Sequence, residues 1–195
     1  MLQAVLDAAA EVFLEVGFER AKMTQISARL CGSKGTLYSY FKSKDELFTA
    51  AMLDTLEKRG VELHESLTLN PKDLRTVLIG CAKVYLDLIL SPNSLALVRT
   101  AVGASRNSDF GARLYERAPR KGIDEMTTYF EHLKEINELD IPDPHIAAVH
   151  FKGLLEAGIL EPMMFGATPE LSMEKSIPLA VDCFLKAYGW QGPHD

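Results

Sequence analysis

Apolar residues recur along this chain at intervals of three and four, and that spacing restricts it to a helical fold. Leu2, Val5, Leu6, Ala9, Val12, Phe13 and Val16 line one face of a first helix, and Leu74, Val77, Leu78, Cys81, Val84, Tyr85, Leu88 and Ile89 line another. Sustained period-two alternation is missing, as is any Asn-Gly or Asp-Gly turn between β-branched runs, so no hairpin is expected. The fold class is all-α.

Punctuating residues set the expected boundaries. Gly17 follows the first helix as a left-handed terminator, with Phe18 folding back on Phe13. Thr24 is placed to cap a short helix ending at Arg29, and Ser33 to cap another ending at Phe41. Ser43-Lys44-Asp45-Glu46 forms a capping box opening a long helix to about Ser66. Asn70-Pro71 and Ser91-Pro92 each set a capping residue before a proline at the first helical position. Further helices are expected near 92–104, 108–118, 120–138, 143–165 and 171–188, with Pro178 awkward unless the last begins near Ser176.

The overall charge misleads until it is split. The 195 residues carry 21 Lys+Arg against 27 Asp+Glu, a net −6 that argues against an anionic partner. Between Arg20 and Lys44, however, stand six basic residues and no Asp or Glu. From residue 49 onward 15 basic residues face 21 acidic ones, so that part alone is −6. The division expected is therefore a basic head over 1–48 and an acidic body over 49–195, joined by the long helix. Cys31, Cys81 and Cys183 have no CxxC or Cys/His ligand spacing, and the five histidines form no metal pattern, so no disulfide framework, metal or cofactor is expected. Apolar stretches are interrupted well short of the ~18 residues of a membrane span, and the chain is expected to be cytoplasmic.

Two short helices joined by a tight turn beside a basic cluster are what a helix-turn-helix needs to read the major groove. In the second, Leu37 and Phe41 share a face and anchor it, which leaves Lys34, Gly35, Thr36, Tyr38, Ser39 and Tyr40 outward. Gly35 has no side chain to hold the backbone off DNA. The tyrosine hydroxyls can bond phosphates. Lys44 adds its charge to the N-terminal end of the next helix, a favourable place for a phosphate.

These segments, AVLDAAAEVF, EVGFE, MTQISARL, SKGTLYSYF and KSKDEL between Ala4 and Lys44, resemble the DNA-binding head of the tetracycline-repressor (TetR) family. The resemblance implies that Thr24 caps the second helix against a phosphate and that Lys34 to Thr36 face the groove. It further implies that Tyr38 and Tyr40 hold the backbone and that Lys44 clamps a phosphate, with Ser33 and Ser39 on the same reading segment. The body is similar to the ligand-binding half of such repressors, in particular the AefR-related group. One departure is Cys31-Gly32, where members usually have Gly and then a β-branched residue, which displaces the turn glycine by one. Members also often carry a basic arm before the first helix, whereas this sequence starts Met1-Leu2-Gln3, so contacts from such an arm are not expected.

In the body, Tyr85, Met126, Tyr129, Phe130, Phe151 and Leu155 are candidate walls for a hydrophobic ligand. Glu156, on an apolar helix, wants a partner, for which Arg99, Arg106 or a ligand cation are candidates. Gly153, Ala157 and Gly158 permit close approach of a second copy, giving a four-helix dimer interface with the helix ending at Tyr188. The expected protein is a homodimeric regulator, a repressor released from a pseudo-palindromic double-stranded DNA operator by a small-molecule effector. Its half-sites would lie ~34–36 Å apart per helical turn. Neutralising Lys44 is expected to flatten the salt dependence by about one phosphate contact. The competing readings are an all-α carrier or enzyme with a non-regulatory head, and a nonspecific architectural DNA binder. No nucleophile-base grouping, phosphate loop or metal signature points to catalysis.

Overall fold

The periodicity is realised as helix throughout. The computed structural model describes residues 1–30, 34–67, 73–104 and 110–192, and among these there are helices, turns and loops but no strand. The chain runs α1 (Leu2–Arg20), α2 (Met23–Arg29), α3 (Lys34–Tyr40), α4 (Lys44–Leu67), α5 (Leu74–Ile89), α6 (Pro92–Ala104), α7 (Phe110–Arg117), α8 (Pro119–Glu135), α9 (Pro144–Glu156), α10 (Leu160–Met164) and α11 (Met173–Ala187).

It gathers into two compact units, one of Met1–Lys58 with Ser91–Leu114 and one of Arg59–Leu90 with Tyr115–Asp195. The first takes in α6 as well as the residues expected of the head. Its core is built from Val5, Ala9, Val12 and Phe13 of α1, Ile26 of α2, Leu37 of α3, Leu47 and Phe48 of α4, and Leu97 and Ala101 of α6. Phe13, Phe18 and Phe48 meet with ring centroids 4.6 to 6.2 Å apart, distances at which aromatic edges and faces attract. The second unit packs α5, α8, α9 and α11 around Phe130, Phe151 and Phe184, whose rings lie 4.9 to 5.9 Å apart.

Several boundaries depart from the sequence expectation, each for a local reason. Gly17 has φ 77° but ψ 162°, so it breaks α1 with an extended ψ instead of closing it with a left-handed residue, and one further turn follows to Arg20. Thr24 is not the cap of α2. Lys22 is, because the Gln25 side chain accepts its amide at 2.8 Å and starts the helix two residues earlier, leaving Thr24 exposed in the first turn. Ser43 caps α4 as expected, accepting from the Glu46 amide at 3.1 Å, while the Glu46 carboxylate reaches one residue further back, to the Lys42 amide at 2.9 Å. Asp73 caps α5 by accepting from the Thr76 amide; Asn70 and Pro71 lie outside the described residues. Ser91 caps α6 ahead of Pro92.

The helix expected over 143–165 is two helices. Ala157 takes an extended ψ of 123° and Gly158 a φ of 72°, which ends α9 at Glu156 before the short α10 begins. The last helix begins at Met173 and not near Ser176, with Pro178 inside it. A proline there cannot supply the hydrogen bond to the carbonyl four residues back.

Candidate functional site

The reading segment is seated by two side chains. Leu37 is 0% exposed and Phe41 8%, both within the core of the first unit, whereas Tyr38 is 51% and Tyr40 42% exposed. Lys34, Gly35 and Thr36 form the first turn of α3, the end that a recognition helix points at base edges. Ser39 is exposed beside the tyrosines. Thr24 lies in the first turn of α2, where amides are open to an anion. Cys31, Gly32 and Ser33, which carry the displaced turn glycine and the expected cap of α3, lie outside the described residues.

The basic cluster is less uniform than its sequence suggests. Arg29 is committed to α1: its guanidinium bonds Glu15 and stands 3.5 Å from Glu11, and those carboxylates hold its pKa above the ordinary arginine value. Arg20 donates from Nε to the Val16 carbonyl at 3.0 Å. Lys22 and Lys42 are exposed. The Lys44 ammonium donates to the carbonyls of Phe18 at 2.8 Å and Glu19 at 3.2 Å and lies 4.4 Å above the centre of the Phe18 ring. Four acidic residues on α1 stand just upstream of the run, and two of them subtract an arginine from it. Nothing local in the sequence pairs residues so far apart.

In the second unit, Phe130, Phe151, Met126 and Leu155 are core residues, and Tyr85 and Tyr129 are half-buried against them. Glu156 finds its partners within this unit: the Tyr85 hydroxyl donates to Oε1, and the Lys152 ammonium donates to Oε2 at 2.8 Å. Arg106, one expected partner, lies outside the described residues. Burial, and next the Glu156 charge, push the Tyr85 phenol well above its ordinary pKa, and burial pushes Tyr129 up to about 12. The Lys152 partner was readable from its i,i+4 spacing to Glu156. Tyr85, 71 positions away, was not.

Gly153, Ala157 and Gly158 are all exposed, and a Cβ added at Gly153 would meet nothing within 4 Å. Ile146 and Val149 of α9 and Leu179 of α11 are apolar side chains left on the surface, Leu179 at 63%. His150 Nδ1 lies 2.8 Å from the Tyr188 hydroxyl. Among the described residues no group of His, Cys, Asp and Glu has the arrangement of a metal site, and no helix is long and apolar enough to cross a membrane.

A helix-turn-helix head followed by a helical body with an apolar core defines a DNA-binding transcriptional regulator. Comparison with known proteins makes this specific. Residues 5–51 match the tetR family of bacterial regulatory proteins. Residues 76–190, more than half the chain, match the C-terminal domain of AefR-like transcriptional repressors. The chain belongs to the TetR family and is a transcriptional regulator. It is 42% identical over 50 residues to the A-factor receptor protein of Streptomyces griseus, covering 26% of this chain and 18% of that one. It is 29% identical over 98 residues to the fatty acid metabolism regulator protein of Bacillus subtilis (strain 168), covering 48% of each. The matches thus span less than half the length of either relative. A TetR-family transcriptional regulator from Mesorhizobium loti shares the fold, with a TM-score of 0.81, 24% identity and 96% of each chain covered.

Proposed function

We propose that this regulator is a homodimeric repressor that holds a pseudo-palindromic operator through α3 and releases it when a small hydrophobic molecule enters the body. The observation that carries the DNA half is the seating of α3: Leu37 and Phe41 are buried, and Tyr38, Ser39 and Tyr40 face out beside the helix start at Lys34, Gly35 and Thr36. A side chain that reads a base edge is worth about 1–3 kcal/mol, or roughly 5- to 150-fold in affinity. Phosphate contacts from Thr24 and the tyrosines set register and not sequence.

The effector half is supported by the chemistry of the second unit. Met126, Phe130, Phe151 and Leu155 are apolar core with Tyr85 and Tyr129 half-buried against them, a composition suited to an apolar molecule with a polar end that would enter by displacing part of that packing. One relative is named for fatty acid metabolism, which agrees with a ligand of that character. The effector needs only a differential affinity of a few kcal/mol between DNA-competent and incompetent dimers. The exposed Gly153, Ala157 and Gly158, with the exposed apolar side chains of Ile146 and Val149 on α9 and Leu179 on α11, make up the proposed dimer face.

A gel-shift series with DNA flanking the gene tests the reading. Lys34→Ala and Tyr38→Ala are expected to weaken specific binding by about tenfold or more while nonspecific binding changes far less. Wild-type affinity in both variants overturns the assignment of α3.

A further inference from the structure

We infer that the effector of this regulator is an amphiphile with a neutral hydrogen-bonding end, such as a ketone, and that the Tyr129 hydroxyl binds that end. The inference rests on the effector reading above and assigns the polar half of its site. Tyr129 on α8 and Tyr85 on α5 are half-buried and pack on the core that holds Phe130 and Phe151. The buried Cys81 thiol, one helical turn before Tyr85, is close enough to bear electrostatically on both phenols, so the two hydroxyls share one neighbourhood. Their hydrogen bonding differs. The Tyr85 hydroxyl is spent, donating to Glu156 Oε1, whereas the Tyr129 hydroxyl bonds to none of the described residues. A phenol has a donor and an acceptor to give, and this one gives neither to its neighbours at the edge of an apolar core. A ligand carbonyl or hydroxyl can take the proton while its chain lies on the apolar side.

The charges nearby select against a charged end. Glu156 is met by the Lys152 ammonium at 2.8 Å, so that cation is already balanced. Glu138, which accepts from the Trp190 indole at 3.3 Å, adds its negative charge to the surroundings of Tyr129. A carboxylate end would bring a further negative charge near Glu138 and Glu156. In partly dry surroundings an ionised group without a counter-charge is far costlier to bury than a neutral carbonyl. An ammonium end would have to displace Lys152 from Glu156, exchanging one ion pair for another.

Methyl heptyl ketone, nonanoate and nonylammonium match in chain length and differ in the end group. Their binding to the full-length protein is read at neutral pH from the fluorescence of Trp190, whose indole bonds Glu138. The ketone is expected to bind about tenfold or more tightly than either charged probe. Tyr129→Phe, which removes only the hydroxyl, is expected to bind the ketone about fivefold more weakly and nonanoate no more weakly than before. Glu138→Gln, whose amide oxygen can still accept from Trp190, is expected to tighten nonanoate severalfold and leave the ketone unchanged. Equal or tighter binding of a charged probe by wild type, unchanged ketone affinity in Tyr129→Phe, or unchanged nonanoate affinity in Glu138→Gln overturns the inference. So does a failure of all three probes to bind. A duplex selected from a random pool by the full-length protein tests the effector reading separately. The ketone is expected to release it from wild type at lower concentration than from Tyr129→Phe. Ketone binding that leaves the duplex in place defeats the effector reading and keeps the Tyr129 site.

Discussion

Glu156 shows what a single half-buried carboxylate imposes on its surroundings. It lies at the last residue of α9 and is held by a neutral phenol and an ammonium, so its charge is met on both oxygens. The Tyr85 proton is part of that arrangement, which is why burial and the neighbouring carboxylate raise its pKa well above the ordinary value near 10. Tyr129, pushed up to about 12 chiefly by burial, behaves the same way. In the unfolded chain both phenols lose their protons near the ordinary value, whereas the folded chain keeps them. The folded state therefore binds more protons above about pH 10, and stability, full below that point, falls as pH rises through 10 toward and beyond 12. Tyrosinate absorbance is expected to show Tyr129 titrating at about 12 and Tyr85 later than ordinary. Tyr85→Phe removes a hydrogen bond to a charged acceptor, worth about 1.5–3 kcal/mol. The chain's one tryptophan, Trp190, packs against the body core, so its fluorescence in urea is the measurement, and an unchanged midpoint refutes the arrangement.

At the scale of the element, α1 depends on its one irregular residue. Gly17 carries a φ that a side chain rarely adopts, although a Cβ there would meet no atom within 4 Å, so the penalty of substitution is conformational and not steric crowding. Gly17→Ala is expected to destabilise the first unit by about 1–3 kcal/mol, followed by amide exchange along α1, and to loosen Phe18 from Phe48. The place of this break was legible in the sequence, because glycine after an apolar face followed by a phenylalanine is a local signal, but its form was not: a left-handed terminator was expected and Gly17 kinks a helix that runs on to Arg20. Ser43 and Ser91 were legible for the same reason, and the Leu37 and Phe41 anchor followed from helical spacing alone. The breaks and partners that were not legible are those whose cause is remote or masked. The apolar pattern runs unbroken past Gly158 to the buried Ile159, so periodicity continues where the helix does not. The cap of α2 depends on a glutamine reaching back to a lysine amide, a combination that lacks the usual capping residue. Arg29 finds Glu15 and Glu11 at separations of 14 and 18 residues, and only the packing of α2 on α1 brings them together.

At the scale of the molecule, the charge is divided between a positive segment from Arg20 to Lys44 and a negative remainder, and the pairing of Arg29 with α1 leaves Arg20 and the lysines as the charge of the proposed DNA-reading head. For the proposed repressor, few positive charges per chain mean that tight binding to a long site takes two chains acting together, and the proposed dimer face of α9 and α11 is where they would meet. Gly153 gives that face a test in which chain stability and assembly move in opposite directions. Within one chain its Cβ position is open, and replacing a helical glycine with alanine is expected to stabilise the helix by roughly 0.5–1 kcal/mol. A larger residue such as glutamate, which is also a better helix former than glycine, keeps most of that gain in the isolated chain. In a self-complementary interface the same position recurs on both copies, so Gly153→Glu brings two carboxylates and two added side chains into a closely packed seam. The expected outcome is a chain whose helix content and body unfolding midpoint are at least those of wild type, sedimenting as a monomer at concentrations where wild type is a dimer. On the selected duplex its affinity should drop to that of a single half-site, with the two-half-site complex missing from the gel. A Gly153→Glu protein that remains a dimer and binds the full site normally places the interface elsewhere on the body.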